Sequence, residues 1–164
     1  MDKNCILGVD PGLSGALALL DSDGLITVFD MPVTARVVNG KTKNRIDAYQ
    51  LGDWVAKNAP SIRVAIVEAV GAMPGQGVTS SFGFGFTAGV IQGVLAACDV
   101  AMQEVHPQKW KRQYGLLGQP KDASRAMASK LLPSAAHLWP RKKDDGRAEA
   151  VLLALYGRMK EDVA

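Results

Sequence analysis

The 164-residue sequence predicts an α/β layer fold built on a mixed five-stranded sheet. Three observations carry that expectation. Three short apolar runs near the N-terminus are split by turn residues, as in successive hairpins. A β-branched run at 62–67 lies between two helix-like stretches, so its crossovers place it parallel to a strand already in the sheet. A fifth apolar run at 100–105 follows the second stretch, and the remainder carries helical patterning.

In order, the runs 6–10, 16–20 and 25–31 are strands separated by Pro11-Gly12 with Ser14-Gly15, then by Asp21-Ser22-Asp23-Gly24. Residues 32–46 are polar and basic and are expected to form a loop. Asp47 is an N-cap for a helix through about Lys57, with Pro60 beyond its end. The strand at 62–67 leads into a Gly/Pro-rich loop, then a long apolar helix at 79–97. Two short helices at 107–114 and 121–131 precede a final helix entered through 141–143. Without repeats, low-complexity tracts or a linker, 1–164 is expected to be a single domain.

Composition narrows the function class. A chain 48% hydrophobic and 21% charged has the makeup of a soluble globular domain. No run of ~20 uncharged apolar residues is counted, so neither a membrane span nor a membrane partner is expected. The N-terminus runs straight into a strand without a leader pattern, which points to the cytoplasm. Cys5 and Cys98 are too few and too distant for a metal knuckle or a disulfide framework, and both are expected in the core. The net charge of +3 conceals an asymmetry: residues 101–147 hold ten Lys/Arg against four Asp/Glu. That excess suits a polyanionic partner, although an ordinary solvated surface has the same charge.

Four acids carry the chemistry. Asp10 ends the first strand and Glu68 ends the fourth. As parallel neighbours ~4.8 Å apart, these strands release both side chains at one sheet edge, where open α/β sheets place ligands. Two such carboxylates repel, and a hard divalent cation removes the penalty. Asp145 and Glu149, four residues apart, share a face of the final helix. Together the four suit two ions ~4 Å apart. Singly, each has an ordinary explanation: a turn former at Asp10, a helix cap at Asp145, a solvated position at Glu149. Glu68 resists one, because it interrupts the apolar run VAIVEAV.

The segments GVDPGLSGALALL, IVEAV and KKDDGRAEAVLLALYG, in that order and spacing, resemble the RuvC-type Holliday-junction resolvases. The likeness is closest to the branch of phages, bacteria and chloroplasts with the KKD-x-GRAEA ending. It extends through the PxxWK segment at 107–111 and the KDASR segment at 121–125. The resemblance implies a ribonuclease-H-like fold with helices on both faces of the sheet. It further implies a homodimer and Mg²⁺- or Mn²⁺-dependent paired nicking of four-way junction DNA, with no nucleotide cofactor. The family's four acids fall on Asp10, Glu68, Asp145 and Glu149. The best-known bacterial members space the last two by three residues, both as Asp. Here the spacing is four and the second acid is Glu, which leaves Asp144 or Asp145 as the ligand, Asp145 being favoured.

A nuclease must draw DNA onto these acids, so flanking cations are expected at the DNA surface: Lys109, Lys111, Lys121, Lys143 and Arg147. Lys41, Lys43 and Arg45 could reach a neighbouring arm. Met73 is the bulky candidate for an unstacking wedge, or a loop residue without a role. Trp54, Trp110 and Trp139 are read as packing residues. His106 is expected to be extended before Pro107, and His137 is a surface histidine or a neighbour of the acids. Gly85, Gly89 and Gly93 form a smooth stripe for intramolecular packing or a dimer contact. The competing functions are an actin-like or sugar-kinase-like phosphotransferase, a non-catalytic junction-binding module, and a hybrid nuclease of the same fold.

Overall fold

The computed structural model describes residues 3–71, 75 and 77–161. Its centre is a five-stranded sheet in the order β3-β2-β1-β6-β7. Strand β1 (Cys5–Asp10) pairs antiparallel with β2 (Ala16–Leu20), which pairs antiparallel with β3 (Ile26–Asp30). On its other side β1 runs parallel to β6 (Ile62–Glu68), and β6 runs parallel to β7 (Met102–Val105). The sheet is therefore mixed, as the crossover argument requires.

Helices cover both faces. Helix α1 (Ala48–Asn58) starts where the Asp47 carboxylate accepts bonds from the amides of Tyr49 and Gln50, both 3.1 Å. It packs with α2 (Val78–Ala97) over a core that includes Leu7, Val9, Leu17, Ala65 and Val67. The other face holds α3 (Pro107–Gln113), α4 (Asp122–Leu131) and α5 (Asp145–Glu161), over Ile6, Ala18, Ile66, Trp110 and Leu152. Successive strand residues point to opposite faces. Ile6, Gly8 and Asp10 thus share the α5 face of β1, as Val64, Ile66 and Glu68 do on β6. Two-residue alternation sends the two strand-end acids to the same side.

Residues 32–46, expected as a loop, form a separate hairpin of β4 (Val33–Val38) and β5 (Lys41–Ile46). Its turn is Asn39-Gly40, both at positive φ (51° and 72°), the conformation of a type I′ turn. That dipeptide is the signal in the sequence; the lack of apolar alternation masked it. Helix α2 brings a second correction. It carries no charge over 20 residues and is long and apolar enough to cross a membrane by length and composition. Thr87, Ile91 and Leu95 nonetheless bury one of its faces in the molecule, whereas Val78 and Phe82 are exposed. Cys5 is buried, but Cys98 is only half-buried.

Candidate active site

Helix α5 meets β1 backbone to backbone. A Cβ on Gly8 would stand 2.0 Å from the carbonyl oxygen of Ala150 and 2.5 Å from the amide nitrogen of Ala154. At the start of α5, a Cβ on Gly146 would come within 2.4 Å of the Ser14 carbonyl oxygen and 3.1 Å of Asp10 Oδ2. Gly15 likewise leaves room only for the backbone of Asp10, 2.2 Å from where its Cβ would be. These three glycines allow the first turns of α5 to lie over the end of β1, and so bring Asp145 and Glu149 to Asp10. Sequence reasoning missed them. The signal available was Gly8 inside an apolar strand, where a glycine marks close approach of another backbone.

The carboxylates feel one another. Burial first, then the charge of Glu149, then those of Glu68 and Asp145, push the Asp10 carboxyl up to about 7, against a weaker opposing bond from the Gly12 amide at 3.3 Å. Burial also raises Glu68, opposed by a hydrogen bond from Trp110 and the charge of Lys111. The indole Nε1 of Trp110 donates to Glu68 Oε2 at 2.8 Å. Glu149 Oε1 accepts from Ser124 Oγ at 3.0 Å and lies 3.4 Å from Lys111 Nζ. Neither Trp110 nor Ser124 was anticipated in these roles, because nothing local in sequence reveals a partner so far along the chain.

Asp10, Asp145 and Glu149 line a cleft of about 1190 Å³, and Glu68 lies beside it. Among the described residues no three acidic, histidine or cysteine side chains are close enough to cage an ion unaided. The donor set still fits a hard divalent cation: carboxylate oxygens only, half-buried, with the proton affinity of Asp10 raised by burial and by its like-charged neighbours. Asp144 points away from them. It is buried and takes three bonds from the Arg141 guanidinium, the shortest 2.8 Å, and one from the Arg141 amide at 2.9 Å. These contacts hold its carboxyl below the usual range, and leave Asp145 as the acid of this pair that faces the cleft.

Of the expected DNA-surface cations, Lys111, Lys121 and Lys143 line the cleft, with Lys121 Nζ 4.0 Å from Asp145 Oδ2. Lys109 is exposed outside it. The structure does not bring Arg147 there. Its guanidinium grips Asp30 through Nε at 2.6 Å and Nη2 at 2.5 Å, and donates to the Leu138 carbonyl at 2.8 Å. That fork ties α5 to the end of β3.

The remaining residues resolve simply. Met73 falls outside the described residues. Trp110 and Trp139 are buried, Trp54 stacks on Phe29 at 5.2 Å, and His106 is extended ahead of α3. His137 is exposed, its Nδ1 3.0 Å from the Ser134 carbonyl oxygen. Gly85, Gly89 and Gly93 have open space where a Cβ would be, so the stripe is not used for packing inside this chain.

No family model matches the chain. Among curated proteins, the chloroplastic Holliday junction resolvase MOC1 of Chlamydomonas reinhardtii is 27% identical over 150 residues, 80% of this chain. The chain spans 17% of that relative's length. RuvC of Thermus thermophilus superposes with a TM-score of 0.53 at 16% identity, over 95% of this chain and 96% of that one. The chain is RuvC-like in fold. The RuvC-like architecture is the ribonuclease-H-like one, here with the β4–β5 hairpin between the third and fourth strands of its main sheet. T. thermophilus RuvC in complex with a Holliday junction substrate gives a TM-score of 0.57 at 18% identity, over 94% and 96% of the two chains. The yeast mitochondrial Holliday junction resolvase Ydc2 gives 0.54 at 12% identity, over 93% of this chain and 77% of its own.

Proposed function

We propose that this RuvC-like chain is a DNA endonuclease that resolves four-way junctions by paired phosphodiester hydrolysis. The observation that carries this reading is the convergence of Asp10, Glu68, Asp145 and Glu149 from two parallel strands and one helix onto one end of the sheet, beside a cleft edged by lysines. The kinship adds to it, since relatives in sequence and in fold are named as Holliday junction resolvases.

The four acids would hold Mg²⁺ or Mn²⁺, two ions per site, which when bound supply Lewis acidity toward water and the leaving oxygen. The chain's own residues do the positioning. Trp110 fixes the rotamer of Glu68, while Ser124 and Lys111 fix that of Glu149. Lys121 and Lys143 draw a phosphate into the cleft and offset its charge. One such site cuts one strand, so a symmetric pair of cuts calls for a second copy. The uncharged exposed side of α2, with Val78 and the open glycine stripe, is the surface that suits it.

The test is cleavage of a synthetic four-way junction in Mg²⁺ and in Mn²⁺, beside linear duplex and RNA–DNA hybrid. Opposed nicks with 5′-phosphate ends, confined to the junction and lost in Asp10→Asn, are expected. Cutting that persists unchanged in Asp10→Asn, or an intact junction in both metals, would overturn the assignment.

A further inference from the structure

The hairpin β4–β5 has its cations arranged in a way that its own fold does not explain. Residues 31–46 contain Arg36, Lys41, Lys43 and Arg45 and no acid. In an antiparallel pair, directly opposed residues share a face. The register opposes Thr34 to Arg45, Arg36 to Lys43 and Val38 to Lys41. All four cations therefore project from one face of the ribbon, and the other face, with Val33, Ala35, Val37 and Thr42, carries no charge.

That face is turned to the cleft. Arg36, Lys43 and Arg45 line it together with Asp10, Asp145 and Glu149. The guanidinium of Arg45 sits 3.7 Å over the Phe86 ring and fixes the ribbon against α2. Arg36, Lys41 and Lys43 make no ion pair among the described residues. Arg36 directly opposite Lys43 is a like-charge cross-strand pair, which opposes hairpin formation. A ribbon that places its cations in register, on one face and unpaired is suited to a polyanion running past it.

We infer that β4–β5 is a phosphate-backbone clamp that holds a DNA duplex arm against the wall of the cleft formed by the hairpin and α2, while the lysines near α4 engage it from the other side. This rests on the nuclease reading above. It adds a binding element that is separate from the catalytic acids and that reads charge rather than sequence.

The test is binding of a fluorescein-labelled four-way junction, and of a single duplex arm, measured by anisotropy across a salt series in EDTA. Compared are the wild type, Arg36→Gln/Lys43→Gln, Arg36→Glu, and a Lys57→Gln control at the far end of α1. Each lost phosphate contact flattens the plot of log K against log salt by about 0.9. The double variant should lose about 1.8 in slope and on the order of tenfold in affinity at 0.1 M salt, on both DNAs. The control should change neither.

Arg36→Glu separates DNA binding from folding. It replaces a repulsive cross-strand pair by an attractive one, so Tm should hold or rise by about 1–3 °C while DNA affinity falls. If affinity and Tm fall together in Arg36→Glu, or the double variant keeps the wild-type slope while the wild type still binds and cuts junctions, the clamp is wrong and the nuclease reading stands. If the wild type binds neither DNA, both fall.

Discussion

Trp110 donates its indole proton to Glu68 across 2.8 Å, joining a fully buried side chain of α3 to the acid at the end of β6. A second buried tryptophan, Trp139, makes a comparable bond to Ser129 Oγ at 2.9 Å, on the same face of the sheet but away from the acids. The pair separates packing from positioning. Either change to Phe should cost roughly 1–3 kcal/mol of stability, through a small void and an orphaned partner. Only Trp110→Phe should also slow cleavage, about tenfold. It should move the acidic limb of the pH–rate profile upward, because the bond that opposes the rise in the Glu68 pKa is gone. Equal slowing by both variants at a temperature where both are folded would reduce Trp110 to a packing residue.

Burial of Asp10, with the repulsion around it, sets a stability trend in the protein freed of divalent ions. Its carboxyl is raised from 3.8 to about 7, so the neutral form is the one the fold favours. That contribution is complete below the ordinary carboxylate range and is lost as pH rises through about 7. Asp10→Asn keeps a neutral side chain throughout. The difference in unfolding free energy, variant minus wild type, should grow between pH 4 and pH 8 by roughly 2–4 kcal/mol in EDTA. Mg²⁺ or Mn²⁺ should shrink it. A pH-independent difference in urea denaturation would contradict the burial of Asp10 among these acids.

Gly8 lets α5 rest on β1. Gly8→Ala puts a methyl group into the backbone of Ala150 and Ala154, neither of which can swing aside. The expected loss is roughly 3 kcal/mol or more, an overpacking penalty in a site without slack. Activity should disappear with the fold rather than before it. Gly89→Ala, in the open stripe of α2, should leave the monomer as stable as before.

The dimer proposed above would use the same stripe. Val78, 86% exposed at the start of this uncharged helix and outside the cleft, is the change of choice. Val78→Asp should shift sedimentation from dimer to monomer at micromolar concentration. Junction products should shift from paired cuts to single nicks. Wild type that sediments as a monomer at every concentration would remove α2 from that role.

How much of this was legible in the residues follows from the range of each cause. The acids were legible because Asp10, Glu68, Asp145 and Glu149 obey local periodicities, two along a strand and four along a helix, that fix their side of the sheet. The helix start at Asp47 was equally local. The β4–β5 hairpin was missed because polar residues on both strands hid an Asn39-Gly40 turn that by itself specifies a hairpin. Arg147 was misplaced because its charge is visible in sequence and its partner, Asp30, lies on a strand far upstream. The bond from Trp110 to Glu68 and the seat at Gly8 depend on tertiary contact, which no periodicity reports.

The contact between α5 and β1 also orders events in time. Asp10 and Glu68 leave the ribosome long before Asp145 and Glu149, and the glycine seat cannot be filled until the helix that carries the later pair has emerged. A nascent chain therefore holds half a set of acids with nothing to complete it until α5 is made. Within this domain, the proposed metal site is assembled only when its two halves, made far apart in time, are brought together.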